Sequence, residues 1–280
     1  MVPTFKLNNG VEIPAQGLGC FLTNNEREAT RSVVDAVAVG YRKIDTAMIY
    51  MNEEGIGRGV RECGLPRDQI FLSTKLWNTD HGYDNTLRAF DASLKRLGLD
   101  YVDQYLMHWP GFEEESYLPT WKAFETLYKE GRVRSIGVCN FQKYVLKNLL
   151  DHAEIKPTVN QLEVHPMFQP NDLIAFCQAN DIQVEAWRPI VWGKLNDKPA
   201  IVDTAAKYGK SPVQIVLRWH YQRGICPLPK TVHKERMVEN LNVFDFALTD
   251  EEMAAINALQ TYVRTGESPD EYFGLDGWGD

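Results

Sequence analysis

The chain has 280 residues, of which 44% are hydrophobic and 24% are charged, and its formal net charge is −8. This composition is that of an ordinary globular protein with enough apolar material for a full core. The acidic balance argues against a nucleic-acid or membrane-surface binder but leaves room for a local basic pocket. No apolar run approaches the about 20 residues of a membrane span, and the first ten residues lack the apolar core of a signal peptide.

The five cysteines are scattered along the chain, and none belongs to a CxxC pair; they are Cys20, Cys63, Cys139, Cys177 and Cys226. An odd number of dispersed cysteines indicates free thiols in a reducing environment. We therefore expect a cytoplasmic protein.

The sequence begins with a predicted β-hairpin and continues with eight strands, each followed by a stretch of helical period. The hairpin is predicted to turn at the two residues Asn9 and Gly10, between arms at 6–8 and 11–13. The predicted strands cover residues 17–21, 42–47, 70–76, 102–108, 135–140, 158–164, 182–187 and 225–230. An extra helix, capped at Thr249, follows the eighth unit.

Alternating strands and helices imply a parallel sheet, because each helix must carry the chain back across the sheet. Eight such units in about 250 residues predict an α/β fold of the (β/α)8 type, a TIM barrel. No linker-like segment divides the units, so we expect one domain over residues 1–280, with the hairpin closing the bottom of the barrel. An open doubly wound sheet is the competing architecture.

Polar residues stand at the carboxyl ends of successive predicted strands. Asp45 ends the second strand, Lys75 the third and His108 the fourth, and Tyr50 follows on the loop after the second strand. In a parallel barrel these ends meet in one ring, on the face that carries active sites. A single polar residue at a strand end more often forms a structural ion pair or caps a helix. The four residues together favour the interpretation of a catalytic site.

These four residues suit the delivery of a proton to an oxygen. A lysine ammonium stabilises a nearby phenolate, so we expect Lys75 to lower the pKa of Tyr50 and make it a better proton donor. Asp45 would hold Lys75 in position, and His108 would donate a hydrogen bond to a substrate carbonyl.

Other motifs carry less weight. The sequence EGIGRG at 54–59 echoes a dinucleotide-binding loop, but it lacks the full GxGxxG and follows a loop instead of a strand, so we reject it. His165 lies past a strand end and is interpreted as structural. The three glutamates at 113–115 are interpreted as a solvated loop. Trp77 and Trp109 directly follow strands and are predicted to wall the mouth of the barrel.

The segments IDTAMIYMNEEGIG, STKLW, YLMHW, GVCNF, VNQLEVHP and LPKTVHKERMVENL resemble the aldo-keto reductases over nearly the whole chain. The bacterial 2,5-diketo-D-gluconate reductase-like branch is the most similar, since Trp187 stands where that branch has a tryptophan. The resemblance implies a (β/α)8 barrel that uses a nicotinamide cofactor without a Rossmann domain and without a metal. It also implies that Asp45, Tyr50, Lys75 and His108 form a catalytic tetrad.

The resemblance further implies where NADPH would lie. Trp187 matches the residue that stacks on nicotinamide, and Asn140 and Gln161 match those that hold its carboxamide. Lys230 and Arg236 would supply cations to the 2′-phosphate. The remaining residues implied at the cofactor are Arg188 near the pyrophosphate, Thr231 and Val232 near the adenosine phosphate, and Glu239 and Asn240 near the adenine.

Three positions depart from the family pattern. Cys139 replaces a usual serine beside the carboxamide, and Arg188 and Val191 replace small residues where the chain crosses the pyrophosphate. These departures bear on cofactor affinity more than on chemistry. The short tail and the short loop after Trp109 imply an open substrate pocket.

The sequence therefore predicts an NADPH-dependent reductase of small aldehydes, ketones, α-dicarbonyls or keto-sugars. Phe21, Trp77, His108 and Trp109 are predicted to line the substrate pocket. Two alternatives stay open: a non-catalytic nucleotide-binding barrel acting as a sensor or subunit, and a lyase that uses Lys75 as a Schiff base. The expected partner is a small carbonyl compound, with no nucleic acid and no membrane, and the expected state is a monomer.

Overall fold

A two-stranded antiparallel hairpin lies across the amino-terminal ends of the main strands in the computed structural model, which describes residues 2–111 and 114–271. Its strands are β1 (Thr4–Lys6) and β2 (Glu12–Pro14). The Leu7 amide donates to the Val11 carbonyl at 2.8 Å, so the loop has three residues and the predicted two-residue turn is wrong. Gly10 takes a φ of +85°, the left-handed position that closes a three-residue hairpin.

Eight parallel strands follow the hairpin in the part of the chain that the structure describes. They are β3 (Leu18–Gly19), β4 (Lys43–Asp45), β5 (Phe71–Leu76), β6 (Val102–Met107), β7 (Val133–Cys139), β8 (Val159–Glu163), β9 (Gln183–Trp187) and β10 (Cys226–Pro227). Each strand pairs with the next one along the chain. The sheet closes on itself, because the Gly17 and Gly19 amides donate to Pro227 O and Pro229 O, each at 3.1 Å. The predicted (β/α)8 barrel is thus confirmed over the open sheet.

Ten α-helices accompany the strands in the described ranges. They are α1 (Glu26–Val39), α2 (Glu53–Glu62), α3 (Tyr83–Leu97), α4 (Glu114–Lys129), α5 (Lys143–His152), α6 (Asn171–Ala179), α7 (Pro199–Tyr208), α8 (Pro212–Gln222), α9 (Lys234–Leu241) and α10 (Asp250–Asn257). The last is the predicted extra helix, and Thr249 and Glu252 form a capping box at its start. Within these ranges no helix is long and apolar enough to cross a bilayer.

The rejected glycine motif lies inside α2, where its glycines serve helix packing. A Cβ at Gly55 would come within 2.6 Å of the Glu26 carbonyl oxygen, and one at Gly59 within 2.6 Å of Val33 Cβ. The glycines therefore let α2 approach α1 at backbone distance, which accounts for the motif without a nucleotide.

The helix α4 begins earlier than the sequence suggests. The glutamates at 114 and 115 are helical, so their interpretation as loop is wrong, whereas Glu113 lies outside the described residues. Pro119 lies inside this helix. Because a proline favours the first turn of a helix, the sequence gives no signal for helical residues before it.

Candidate active site

A cleft of about 690 Å³ opens at the carboxyl ends of the barrel strands. Asp45, Tyr50 and His108 line one end of it, and Phe21 and Trp109 stand beside them. The same cleft is lined by every residue that the sequence assigned to the cofactor: Asn140, Gln161, Trp187, Arg188, Lys230, Thr231, Val232, Arg236, Glu239 and Asn240. Concave sites of this size commonly hold a cofactor together with a small substrate.

The Asp45 carboxylate and the Lys75 ammonium form a buried ion pair at the bottom of the cleft. Lys75 Nζ lies 2.6 Å from Asp45 Oδ2 and donates to the Thr46 carbonyl at 2.8 Å. Because Asp45 ends β4 and Lys75 lies near the end of the adjacent β5, the parallel register brings them together. Nζ is also 5.2 Å from the centre of the Tyr50 ring, and the Tyr50 and His108 ring centres are 5.6 Å apart.

The pKa of Tyr50 is raised, not lowered as the sequence suggested. Burial raises it to about 12, and the ammonium of Lys75 opposes that shift only in part. The expectation was wrong in its net direction because it counted the neighbouring charge and not the removal of the phenol from water. Tyr50 therefore keeps its proton throughout the neutral pH range.

Lys75 and His108 keep the protonation states that a proton-donating site needs. Burial lowers the pKa of Lys75, but the neighbouring Asp45 carboxylate raises it more, so the amine stays protonated. Burial and the nearby Lys75 hold the pKa of His108 well below its usual range, so the imidazole is neutral. His108 Nδ1 is sealed from solvent without a hydrogen-bond partner among the described residues, which leaves Nε2 as the nitrogen able to face the cleft.

Aromatic rings wall the catalytic end of the cleft. The Phe21 ring centre is 5.1 Å from that of Tyr50, and the Trp109 ring lies 6.4 Å from His108. Trp77 does not line the cleft; its ring, 2% exposed, meets the His108 ring edge-on at 5.1 Å. The structure thus places Trp77 behind His108 as a support for the imidazole.

Asn140 connects the catalytic end of the cleft to Trp187. Its Nδ2 donates to the His108 carbonyl at 3.1 Å, and its Oδ1 accepts from Trp187 Nε1 at 2.9 Å. Asn140 adopts a φ of +63°, which asparagine tolerates better than most residues. The neighbouring Cys139 is fully buried at the end of β7, belongs to an apolar cluster that also contains Leu7 and Val159, and does not line the cleft.

The far end of the cleft is basic. Lys230 and Arg236 are exposed, and among the residues that the structure describes neither forms an ion pair. Thr231 Oγ1 accepts from the His233 amide at 3.1 Å, just before α9 begins. Two free cations at a helix start make a site for an anion.

The loop between β9 and α7 has an unusual backbone. Arg188, Val191 and Trp192 have φ values of +50°, +46° and +51°, in the region that glycine prefers. Arg188 and Val191 are positions at which the family pattern has small residues, and Trp192 adjoins Val191. The departures from the family pattern therefore coincide with left-handed backbone. The Arg188 guanidinium lies 4.4 Å from the Trp192 ring centre and donates to the Thr265 carbonyl.

Sequence patterns do not reveal that residues 265–267 fold back onto the cleft. Glu163, at the end of β8, accepts from the Thr265 amide and hydroxyl at 2.6 Å each and from the Gly266 amide at 3.2 Å. His165 Nε2 lies 3.1 Å from the same carboxylate, which agrees with its structural interpretation. Gly266 and Glu267 line the cleft, so this segment contributes to its wall.

Comparison with known proteins gives a consistent picture. The sequence pattern of the aldo/keto reductase family matches residues 16–261. Glyoxal reductase of Bacillus subtilis (strain 168) is 49% identical over 268 residues, 96% of each chain. Methylglyoxal reductase DkgA of Escherichia coli (strain K12) is 43% identical over 271 residues, 96% of this chain and 98% of that protein.

Solved structures agree with the sequence relatives. An aldo/keto reductase from Brucella melitensis superposes with a TM-score of 0.89 at 47% identity, covering 92% of this chain and all of that one. A Bombyx mori aldo-keto reductase in complex with NADP gives a TM-score of 0.90 at 37% identity and covers 96% of each chain. With this barrel, this cleft and these relatives, the chain belongs to the aldo/keto reductase family.

Proposed function

We propose that the protein reduces small aldehydes and ketones with NADPH, and that α-dicarbonyls, methylglyoxal-like aldehydes and keto-sugars are its substrate classes. The observation that carries this proposal is the convergence of Tyr50, the Asp45–Lys75 pair and a neutral His108 at one end of a cleft with two free cations at the other. The names of the two bacterial relatives, both reductases of small dicarbonyls, support the substrate class.

The described residues fit a nicotinamide dinucleotide phosphate placed along the cleft. Lys230 and Arg236, which lack carboxylate partners in the described chain, suit the dianionic 2′-phosphate that distinguishes NADPH from NADH. Trp187, fixed by Asn140, offers a ring face for the nicotinamide. The other residues proposed to hold the cofactor are Gln161, Arg188, Thr231, Val232, Glu239 and Asn240.

The catalytic end then acts on the substrate carbonyl. When bound, NADPH supplies the hydride that reaches the carbonyl carbon. Tyr50 donates its proton to the carbonyl oxygen as negative charge develops there, and the Lys75 ammonium stabilises the phenolate left behind. Asp45 keeps Lys75 in place at 2.6 Å, and neutral His108 donates a hydrogen bond to the same oxygen.

The two alternatives are weaker. A Schiff-base lyase needs an accessible neutral amine, but Lys75 is fully buried, does not line the cleft and has a raised pKa. A sensor or structural subunit has no need of a tyrosine held between a lysine and a histidine.

The test is NADPH consumption against a panel of methylglyoxal, a simple aldehyde, a simple ketone and a keto-sugar, with NADH in parallel. We expect turnover of at least one dicarbonyl or aldehyde, and faster turnover with NADPH. Binding of NADPH without turnover of any carbonyl would favour the sensor. Mass spectrometry after borohydride treatment with substrate would detect an adduct on Lys75 if the lyase were correct.

A further inference from the structure

A second buried ion pair lies in the barrel interior, one layer below the pair formed by Asp45 and Lys75. Lys43 Nζ is 2.9 Å from Glu185 Oε1, and both side chains are 0% exposed. Lys43 precedes Asp45 by two residues on β4, and since strand side chains alternate, both point into the barrel. Lys43 Nζ also donates to Ser73 Oγ at 3.1 Å and to Gln104 Oε1 at 3.0 Å, so polar groups of two neighbouring strands hold the ammonium beside Glu185.

Gln161 bridges the two ion pairs. Its Nε2 donates to Asp45 Oδ1 at 3.0 Å and to Glu185 Oε2 at 2.9 Å. These two bonds use both amide protons and fix the orientation of the amide, because a carbonyl oxygen could not face two carboxylates. Gln161 Oε1 is therefore turned away from both carboxylates, and no donor within the described chain reaches it.

The bridge has two consequences for the catalytic end. Asp45 Oδ1 is held by Gln161, which leaves Oδ2 for Lys75 at 2.6 Å. Gln161 lines the cleft, so the acceptor Oε1 is the group that it can present to a ligand there.

We propose that Glu185, held by Lys43, is a positioning residue that sets the amide orientation of Gln161. Through that amide it fixes Asp45 from below and directs an acceptor at the carboxamide N–H of the nicotinamide. The identity of the ligand in this inference rests on the proposed function. The hydrogen bonds and the ion pair that link Lys43, Glu185, Gln161 and Asp45 do not depend on it. Stability alone does not explain why the barrel contains the Lys43–Glu185 pair, because replacing a buried ion pair by apolar residues is often neutral or stabilising.

The test compares two nucleotides that differ only at the carboxamide. NADP⁺ has an N–H for Gln161 Oε1, and its 3-acetylpyridine analogue has a methyl ketone in that place. We expect the native protein to bind NADP⁺ about fivefold more tightly, as one hydrogen bond implies. Titration calorimetry measures both dissociation constants without requiring turnover, so it decides the proposal even if no carbonyl substrate is found.

The main variant is Lys43→Met/Glu185→Leu, which removes both charges and leaves neither buried alone. We expect it to lose the preference for NADP⁺, because the Gln161 amide is then free to turn. Lys43→Met/Glu185→Gln should regain the preference, since the new amide oxygen still accepts from Gln161 Nε2. If the apolar pair does not fold, Glu185→Asp keeps the charge for Lys43 but withdraws the acceptor, and it should lose the preference too.

The control is Asp103→Asn. Asp103 is another fully buried carboxylate of the barrel sheet, paired with Arg67 at 2.8 Å and Arg134 at 2.7 Å, and it does not line the cleft. It should lower stability and keep the native preference. The proposal is overturned if folded Lys43→Met/Glu185→Leu or Glu185→Asp retains the preference, if Asp103→Asn loses it equally, or if the native protein has none.

Discussion

At the scale of single residues, Tyr50 experiences opposing influences. Burial raises its pKa, and the ammonium of Lys75 lowers it but does not prevail, so the phenol is protonated at neutral pH. That state suits reduction, in which the phenol must give a proton. The energetic contribution of Lys75 comes later, when the phenolate has formed and the two opposite charges lie close together in a medium of low dielectric constant.

Replacing Tyr50 by phenylalanine should remove the proton donor and leave the cleft otherwise intact. General acid catalysis contributes about 10²–10⁴-fold in rate, so kcat on a ketone should fall by about that factor. The dissociation constant for NADPH should change little. Steady-state kinetics and titration calorimetry measure the two effects, and a variant that keeps more than about a tenth of native kcat would contradict the assignment.

Carbonyl reduction should be nearly independent of pH between about 7 and 9. The pKa of Tyr50 is about 12, and that of His108 lies well below its usual value, so neither group changes its protonation state in this interval. The measurement is kcat/KM for a ketone at saturating NADPH and constant ionic strength. A limb that falls between pH 7 and 9 would show that bound NADPH, or the substrate, lowers the pKa of Tyr50.

Arg236 should distinguish NADPH from NADH. A charge-assisted hydrogen bond contributes about 1.5–3 kcal/mol, and at this exposed rim we expect the lower value, about tenfold in Kd. Arg236→Ala should weaken NADPH by that factor and leave NADH unchanged, with a smaller loss at high salt. Lys234→Ala is the matched control, because Lys234 is on the same helix but faces Asp35 at 3.3 Å and does not line the cleft. Equal losses for both nucleotides would assign Arg236 to the fold or the adenine.

At the scale of helices and strands, the close approach of helix backbones determines where the site residues are held. The loop that carries Tyr50 leads directly into α2, and α2 touches both α1 and α3. A Cβ at Gly57 would overlap the carbonyl oxygen of Leu97 at the end of α3. Because the obstacle is backbone, a small rotation of a side chain cannot relieve it.

Gly57→Ala should therefore destabilise the protein although alanine favours helices. Overpacking typically costs about 1–3 kcal/mol, which exceeds the about 1 kcal/mol that alanine gains over glycine inside a helix. Glu54→Ala, at an exposed position of the same helix, is the control for helix propensity and should change little. Urea unfolding measures the difference, and a Gly57→Ala protein as stable as the native one would show that α2 and α3 can move apart.

Sequence patterns predicted the barrel well because hydrophobic period and strand order depend on local residues. The ends of β4, β5 and β6 could be predicted from the sequence, and so could the close approach of Asp45, Lys75 and His108. Two sets of contacts could not be predicted, because each joins segments more than 100 residues apart: the Lys43–Glu185 pair, and the hydrogen bonds of Glu163 to residues 265 and 266. The net pKa of Tyr50 was missed for a related reason: burial depends on all neighbours at once.

At the scale of the whole molecule, buried and half-buried histidines should link stability to pH. Removal from water lowers the pKa of the half-buried His81 and of the buried His220 to about 4, and that of the buried His108 well below its usual value. Below pH 6.5 the unfolded chain binds protons at these positions and the folded chain does not. The unfolded state is therefore favoured increasingly as pH falls, and this loss of stability starts near pH 6.5.

Each such histidine contributes a slope of at most about 1.4 kcal/mol per pH unit to the free energy of unfolding. For three of them, the free energy should fall by up to about 4 kcal/mol per unit as pH drops from about 6 towards 4.5. His108→Gln should reduce that slope by up to a third, since one of the three groups is removed. His152→Gln, at an exposed position of α5, should leave it unchanged. Urea unfolding at half-unit pH intervals measures the slopes, and a His108→Gln slope equal to the native one would mean that folded His108 takes up a proton in this range.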